Sequence, residues 1–165
     1  MTDPIDPLSY RFCEPRWFDD FKVGEVFYIP SRTMTDALFA AFQTASGDNH
    51  PIHYDRHYCA AEGHRDPLAH GYQVLIQTCA GASVLPQMMG PSLIGFIEQS
   101  SRFLKAVYAG DTLYPRLVIS EMKAQRTTGV MTCEITVHNQ DGALVLDGWH
   151  KYLLRREAAK ADAAG

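Results

Sequence analysis

An acid and an imidazole stand five positions apart on a short and stiff segment of the chain. Asp48 and His53 lie within the stretch Ser46 to Asp55, on either side of Pro51. The proline has a fixed φ and biases His50 away from helical geometry, so the backbone between the two groups is restricted. A carboxylate and an imidazole a few ångströms apart can hold a water molecule, the carboxylate accepting one proton while the imidazolium delivers another. This pair predicts addition or removal of water.

Residue chemistry alone leaves three other interpretations of this segment open. Asp48 and His53 are also typical of an ordinary helix end, where the acid caps the next turn and the histidine is half buried. His50, His53 and His57 have the spacing of metal ligands, although a proline interrupts a common helical face. Ser46 with a histidine and an aspartate suggests a hydrolase, but the GxSxG turn that exposes a nucleophilic serine is absent.

Two predicted helices flank the segment. Thr35 is a good helix N-cap, residues 37–42 continue an apolar-faced helix, and a glycine follows it. Asp55 is placed to cap a shorter helix over Arg56 to Ala61. Earlier in the chain, within 25–33, the β-branched and aromatic residues Val26 to Ile29 predict a strand, and this pattern stops at Pro30.

A long helix and a sheet are expected to enclose these elements. Tyr72 to about Leu85 is apolar nearly all round, which predicts a long central helix that Pro86 ends. Four extended segments then predict an antiparallel meander: Leu93 to Phe103, Leu113 to Met122, Val130 to His138 and Ala143 to Leu154. The predicted fold class is α+β, with a long central helix wrapped by an antiparallel β-sheet.

The composition limits the class of protein. A chain of 165 residues has the size of one domain, and 46% hydrophobic with 21% charged residues is typical of soluble globular proteins. The formal net charge of -4 disfavours nucleic-acid binding. The sequence has neither a secretory leader nor an apolar run of membrane-spanning length, so we expect a cytoplasmic protein with no membrane contact. Four scattered cysteines predict reduced thiols.

Three motifs together resemble a known family. Ser46 to His53 looks like the segment of MaoC-like dehydratases and R-specific enoyl-CoA hydratases in which Gly-Asp is followed by x-Asn-Pro-hydrophobic-His. Pro67 to Gly71 resembles the family's Pro-Ile-Ala-His-Gly turn, and Arg102 to Leu113 resembles its Arg-Phe-x-x-Pro-Val-x-x-Gly-Asp-Thr-Leu strand pair. The resemblance implies a single hot dog domain over residues 17–156. The Pro- and Asp-rich residues 1–16 predict an N-terminal arm, and the short Ala-rich residues 157–165 predict a flexible tail.

The resemblance also implies an activity. Asp48 and His53 would be the acid/base pair of an acyl-CoA hydratase or dehydratase, acting on a short or functionalised trans-2-enoyl-CoA with an (R)-3-hydroxyacyl-CoA product. Asp48, expected to be buried yet ionised, would activate the water, and His53 would exchange the proton at the α-carbon. The backbone N–H of Gly71, aided by the long helix dipole, would donate to the thioester oxygen. Coenzyme A belongs to the substrate, and we expect no cofactor and no metal.

Further residues are candidates for binding the substrate. His50 replaces the family's usual asparagine and either completes the loop's hydrogen bonds or contacts substrate, and His70 precedes Gly71 at the helix start. Gln73 and Gln77 share a helix face and either line the pocket, which would favour a short or polar acyl group, or hydrogen-bond across a subunit interface. The coenzyme A phosphates could contact the cationic residues Arg56, Arg65, Arg102 and Lys105.

We expect the chain to form a homodimer with the active site near the interface, as in relatives with one hot dog unit, and higher assembly is left open. Two alternative functions remain. One is an acyl-CoA thioesterase on the same fold, and the other is a non-catalytic subunit that binds acyl-CoA.

Overall fold

The computed structural model describes residues 6–7 and 9–157. Residues 1–5 and 8 of the predicted N-terminal arm and residues 158–165 of the predicted tail lie outside the described residues. The α-helices are α1 (Asp36–Ser46), α2 (Arg56–Ala61), α3 (Gly71–Leu75) and α4 (Leu85–Met89). The strands are β1 (Val26–Tyr28), β2 (Arg32–Thr33), β3 (Leu93–Phe103), β4 (Thr112–Ala124), β5 (Thr128–His138) and β6 (Leu144–Arg155). Short 3-10 helices span Phe18–Asp20, Pro51–His53, Ile76–Thr78, Ala80–Ala82 and Gly90–Ser92.

The sheet is antiparallel, with the strand order β1-β4-β5-β6-β3 and with β2 paired to β4. β4, β5 and β6 form the predicted meander, in which each hairpin joins segments with the apolar alternation of a half-buried strand. β3 pairs with β6 instead of with the next strand β4, which corrects the prediction for that strand. The α+β class with an antiparallel sheet is therefore confirmed. β3 lies at one end of this order and pairs only with β6 among the described strands.

One face of the sheet carries the core. Along β4, Leu113, Leu117 and Ile119 have no exposed surface, while Tyr114 and Arg116 between them are exposed. Met131, Cys133, Ile135 and Val137 of β5 are likewise fully buried. The 3-10 helix at Ile76–Thr78 packs against β4 and β5. The period of two along the strands thus places the segment that follows α3 against the sheet centre.

The long helix predicted from Tyr72 to Leu85 is not continuous, which corrects that prediction. α3 ends at Leu75, and Cys79 leaves helical geometry with a ψ of 117°. Thr78 turns its hydroxyl back onto the Leu75 carbonyl, 2.7 Å away, and Gly81 has a low helix propensity, so both weaken the helix. A segment that is apolar on all sides is expected to be buried, but this pattern does not indicate where a buried helix breaks.

Pro86 also has a different role from the one predicted. It stands in the first turn of α4 instead of ending a helix. Proline has no backbone N–H and therefore disrupts the hydrogen bonds of a helix interior. In the first turn of a helix the backbone N–H groups have no intrahelical partner, so proline is tolerated there. Pro30 lies between β1 and β2, so the strand pattern stops at this proline as predicted, and a second short strand follows it.

Among the described residues, no helix has the length and apolarity needed to cross a membrane.

Candidate active site

The end of α1 positions Asp48. Thr35 caps the helix start by accepting a hydrogen bond from the Leu38 N–H, as predicted, and Gly47 ends the helix in the left-handed region with a φ of 73°. That conformation suits glycine, since it has no Cβ to clash. Asp48 therefore leaves the helix axis, and its carboxylate accepts a hydrogen bond from the His50 N–H at 3.3 Å.

His50 closes the loop through its imidazole. It is the N-cap of the 3-10 helix Pro51–His53, and its Nδ1 accepts a hydrogen bond from the Ile52 N–H at 3.3 Å. Its carbonyl also accepts a hydrogen bond from the His53 N–H. His50 thus completes the internal hydrogen bonds of the loop. A direct contact between His50 and substrate stays a prediction.

Asp48 and His53 face one another. Asp48 Oδ2 lies 3.8 Å from His53 Nε2, and the side chains are 54% and 12% exposed, respectively. Asp48 is therefore not buried in this chain, contrary to expectation. The other ring nitrogen of His53, Nδ1, lies 2.6 Å from the Leu68 carbonyl oxygen. Because a carbonyl only accepts, Nδ1 carries the hydrogen, and the lone pair of neutral His53 is on Nε2, towards Asp48.

The surroundings favour the neutral form of His53. Burial lowers the pKa of His53 below its ordinary value of 6.5, and the nearby His70 acts in the same direction. The hydrogen bond to Leu68 and the negative charge of Asp48 oppose this shift without reversing it. A neutral imidazole with its lone pair towards a carboxylate can accept a proton from carbon or from water.

His70 completes a three-residue cluster that the sequence analysis did not predict. Its ring is 4% exposed, and its Nε2 lies 3.0 Å from the carbonyl oxygen of Asp48 and 3.8 Å from Asp48 Oδ2. Nε2 must carry a hydrogen to bond this carbonyl. The partners of its ring within the chain are the Asp48 loop and Gln73, and contact of His70 with substrate stays a prediction.

The cluster also bears on the metal interpretation. His50, His53 and His57 were the predicted set, whereas the ligand atoms that lie within 4.8 Å of one another belong to Asp48, His53 and His70. Because His70 Nε2 is the donor to the Asp48 carbonyl, it has no lone pair to offer a metal in this arrangement. The described geometry therefore fits a proton-transfer pair better than a metal centre.

Gly71 begins α3 directly after His70. No hydrogen bond from its N–H is found within the described part of the chain, as expected for the first turn of a helix. Because α3 has five residues, the dipole of a long helix is not available there, which corrects that part of the expectation. The Phe103 ring covers Gly71, and an added Cβ would lie 3.2 Å from it. The role of the Gly71 N–H towards a thioester stays a prediction.

Gln73 and Gln77 are both buried, with 1% and 7% exposure. The Gln73 side chain lies 3.4 Å from His70 Nδ1, and Gln77 donates from Nε2 to the Gln73 carbonyl at 2.9 Å. They support the His70 end of the site within the same chain.

Three of the four cationic residues predicted to contact coenzyme A form ion pairs with acidic side chains. Arg56 pairs with Asp36 and Asp66, and Arg102 forms a two-pronged ion pair with Asp147. Lys105 is exposed, and its side chain forms no ion pair with any described residue. Contacts of these residues with phosphate stay predictions.

Arg65 contacts a supporting residue, Asp111, that the sequence analysis did not single out. It donates to the buried carboxylate of Asp111 at 2.5 Å. Burial by itself raises the pKa of Asp111, but hydrogen bonds from the Tyr108 N–H, Gln140 and Arg65 outweigh it and hold that pKa below its ordinary value.

The Asp111 turn reaches the active site through the backbone. Leu68 forms an antiparallel bridge with Tyr108, and the Ala69 N–H donates to the Val107 carbonyl. These pairings fix the strand-like segment whose Leu68 carbonyl orients His53. Asp111 therefore holds the turn that positions the site, and the Gly-Asp-Thr pattern was the signal that could have revealed it.

Comparison with protein families gives a match over most of the chain. A family model described as the MaoC like domain matches residues 20–140, which include Asp48, His53 and Gly71. Protein MaoC of Klebsiella aerogenes is 30% identical over 114 residues, covering 68% of this chain and 33% of that protein. The 3-hydroxybutyryl-CoA dehydratase of Methylorubrum extorquens is 26% identical over 134 residues, covering 80% of each chain. The chain thus spans about a third of the first relative and most of the second.

Solved structures give the same picture. A monoamine oxidase regulatory protein from Archaeoglobus fulgius has a TM-score of 0.80 at 27% identity, with 89% of this chain and 99% of that chain covered. The R-hydratase PhaJ1 of Pseudomonas aeruginosa gives 0.72 at 26% identity, with 86% of each covered. A Mycobacterium tuberculosis protein with a double hot dog fold gives 0.74 at 28% identity, with 87% of this chain and 45% of that chain covered. The expected hot dog fold is confirmed.

Proposed function

The chain belongs to the MaoC-like domain family, and on that premise we propose that it is a hydro-lyase that adds water to, or removes it from, an acyl-CoA thioester. One observation carries this proposal. Asp48 and His53 are 3.8 Å apart, and the Leu68 carbonyl holds His53 in the tautomer whose free lone pair is directed towards Asp48. A water oxygen that lies beside the line between these two atoms can be within hydrogen-bond distance of both.

In the dehydration direction, Nε2 of neutral His53 removes the proton from the α-carbon of a 3-hydroxyacyl thioester. The electron pair moves to the thioester carbonyl, whose oxygen gains negative charge beside the Gly71 N–H. The electrons return to form the α,β double bond, and the β-hydroxyl leaves as water with a proton from Asp48. Hydration is the reverse, with Asp48 accepting a proton from water and the His53 imidazolium protonating the α-carbon. Asp48 and His53 together hold one exchangeable proton, which is on Asp48 before dehydration and on His53 after it.

Two relatives support the class of substrate. One is named a 3-hydroxybutyryl-CoA dehydratase and another an R-hydratase, which favours a trans-2-enoyl-CoA and an (R)-3-hydroxyacyl-CoA as the reaction partners. The expectation of a short or functionalised acyl group depended on Gln73 and Gln77 lining a pocket. Gln73 lies beside His70 Nδ1 and Gln77 donates to the Gln73 carbonyl, and a role of either side chain in an acyl pocket stays a prediction.

A homodimer is part of the proposal. β3 is an edge strand of eleven residues, and three of its apolar side chains, Ile94, Phe96 and Ile97, are 43 to 54% exposed. A long apolar edge is a template for pairing with another strand, and two copies related by a two-fold axis would pair their β3 strands antiparallel. Light scattering on the purified chain tests this, and a monomer at micromolar concentration would contradict it.

The activity is tested with crotonyl-CoA by following the absorbance of the conjugated thioester. We expect hydration by the native chain and a loss of at least about 100-fold in kcat/KM for Asp48→Asn and for His53→Ala, with folding unchanged. His57→Ala, an exposed histidine on α2, is the matched control and should retain activity. Full activity in both site variants would refute the assignment. Release of free coenzyme A would indicate a thioesterase, and binding without turnover would indicate a non-catalytic acyl-CoA-binding subunit.

A further inference from the structure

Gln73 is a buried polar side chain that the proposed reaction does not use. It lies on α3, three residues after His70, and is 1% exposed. Its side-chain amide lies 3.4 Å from His70 Nδ1, while the other ring nitrogen, Nε2, bonds the Asp48 carbonyl. A buried polar group that does not match its neighbour is costly, so the chemistry of Nδ1 has to agree with the amide group that faces it.

The Asp48 loop determines what His70 Nδ1 can offer. His70 Nε2 lies 3.0 Å from the Asp48 carbonyl oxygen and must carry a hydrogen to bond it. A neutral imidazole has a single N–H, so in this form Nδ1 has a lone pair and accepts a hydrogen bond. The group that suits Nδ1 is therefore a donor.

The Gln73 amide can present either a donor or an acceptor to His70. The two ends of a glutamine amide have the same shape, so the hydrogen-bond partners decide which end faces a neighbour. With Oε1 towards Nδ1, two acceptors face each other, and Nε2 of Gln73 has no hydrogen-bond partner among the described residues. A half turn of the amide directs Nε2 to Nδ1 and places the oxygen in the unpartnered position. This exchange is favourable, because a buried N–H without a partner is rarer than a buried carbonyl oxygen without one.

A charged His70 is the alternative. An imidazolium would donate from both nitrogens, and Gln73 Oε1 would then suit Nδ1. It would also place a cation on a ring that is 4% exposed, with Asp48 Oδ2 at 3.8 Å, which is beyond hydrogen-bond distance. Burial of a charge without a hydrogen-bonded counterion is costly, so the neutral ring with a donor from Gln73 is favoured.

We infer that Gln73 is a positioning residue, which fixes the tautomer of His70 and thereby holds the Asp48 carboxylate opposite His53. Gln73 Nε2 donates to His70 Nδ1, and His70 Nε2 donates to the Asp48 carbonyl. In the other tautomer, the lone pair of Nε2 would face that carbonyl oxygen at 3.0 Å and repel it. The loop would move, and the 3.8 Å approach of Asp48 to His53 would be lost. This inference rests on the proposed function, and it names a residue that supports the acid/base pair of that same site.

Imidazole ¹⁵N NMR of the full chain tests the inference without requiring turnover. A ring nitrogen with a hydrogen and one with a lone pair have well separated ¹⁵N shifts, and His70→Ala identifies the His70 signals by their disappearance. In the native chain at pH 7.5 we expect a hydrogen on Nε2 and a lone pair on Nδ1. A hydrogen on Nδ1, alone or together with one on Nε2, would overturn the proposal.

Gln73→Glu keeps the shape of the side chain and removes its N–H donor. A carboxylate beside Nδ1 only accepts, so this nitrogen should gain a hydrogen, which its ¹⁵N shift reports. Gln77→Met is the matched control for this spectrum, since Gln77 is also buried and its amide donates to the Gln73 backbone carbonyl. The His70 shifts in that variant should be those of the native chain. Unchanged His70 shifts in Gln73→Glu would contradict the assignment, and if this variant does not fold, the native spectrum still decides.

Steady-state kinetics separates positioning from a direct contact with substrate. Gln73→Met has a similar length and no donor, so kcat for crotonyl-CoA hydration should fall about tenfold while KM stays within about twofold. In the His70→Ala background the same substitution should change kcat by less than about twofold, because Gln73 acts through His70. An equal loss in both backgrounds, an unchanged kcat in the native background, or a rise in KM alone would each refute the positioning role.

The two proposals fail separately, because the NMR spectrum does not depend on turnover. If His70 has the expected tautomer and responds to Gln73→Glu but crotonyl-CoA is not hydrated, the hydrogen bond from Gln73 is supported and the hydro-lyase is refuted. If crotonyl-CoA is hydrated and His70 Nδ1 carries a hydrogen in the native chain, the hydro-lyase is supported and the assignment of Gln73 is overturned.

Discussion

The imidazole rings of His53 and His70 are stacked, with ring centroids 3.5 Å apart and planes inclined by 19°. The hydrogen-bond partners of the two rings indicate different roles for His53 and His70. His53 presents a free lone pair to Asp48, whereas His70 donates to the Asp48 backbone and is shielded from solvent. His70 is thus suited to hold the Asp48 loop and the His53 ring in place.

Replacement of His70 distinguishes positioning from substrate binding. For His70→Ala we expect kcat for enoyl-CoA hydration to fall about 10- to 100-fold with little change in KM, because the Asp48 loop loses its donor and His53 its stacking partner. Steady-state kinetics on folded protein measures this. His70→Gln keeps an N–H donor at similar reach and should recover part of kcat. A large rise in KM with kcat unchanged would instead support the predicted substrate contact.

Protonation of His150 predicts a pH-dependent stability. Burial lowers the pKa of His150 in the folded chain from 6.5 to about 4. Between these values the unfolded chain binds a proton that the folded chain does not, so stability is complete above pH 6.5, falls as pH decreases and levels off below about pH 4. The loss is at most about 3 kcal/mol.

Urea unfolding of native chain and His150→Gln, compared between pH 7.5 and pH 4.5, checks this expectation. The native chain should lose more stability than the variant, since glutamine has no proton to gain. His53 is retained in both proteins, so its own contribution cancels in the difference. The same pH dependence in both proteins would contradict the assignment to His150.

Two carboxylates allow a comparison of buried and exposed ion pairs. Asp111 is 2% exposed and accepts hydrogen bonds from Arg65, Gln140 and the Tyr108 N–H. Asp111→Asn should lower the free energy of unfolding by about 2–3 kcal/mol, because it leaves donors without their anion. It should also reduce hydration activity, since the turn supports the segment that orients His53.

Asp147→Asn is the matched control. Its Arg102 partner is 75% exposed, so the free energy of unfolding should change by less than about 1 kcal/mol. Chemical denaturation of both variants gives the two values. Equal losses in the free energy of unfolding would contradict the argument that burial makes the Asp111 ion pair the more stabilising of the two.

The pairing of β3 with β6 depends on a glycine. A Cβ at Gly148 would lie 2.0 Å from the Ser100 carbonyl oxygen, which belongs to the backbone of the neighbouring strand. Gly148→Ala should therefore destabilise the fold by about 2 kcal/mol or more, because the strands must move apart. Gly95→Ala on β3 adds the same methyl where no heavy atom lies within 4 Å, and it should be nearly neutral in thermal unfolding. A neutral result for both variants would refute the close approach.

Local sequence was sufficient for the elements that depend on neighbouring residues. Thr35, Gly47 and Asp55 act on backbone groups within a few positions, so the ends of α1 and the start of α2 followed from capping rules. The four long strands lie within about two residues of their predicted limits, because alternation and turn residues are both local signals. The loop that carries Asp48 and His53 could be found in the same way.

Tertiary structure alone decided what surrounds that loop. His70 is 22 positions from Asp48, and Arg65 is 46 positions from Asp111, and no short-range pattern encodes those contacts. The break at Cys79 was equally hidden, since a segment buried on all sides has the same composition whether its helix is continuous or interrupted. The sequence by itself determined that a carboxylate and an imidazole, Asp48 and His53, stand on one short loop. Packing of distant segments decided the tautomer of His53 and its stacking partner.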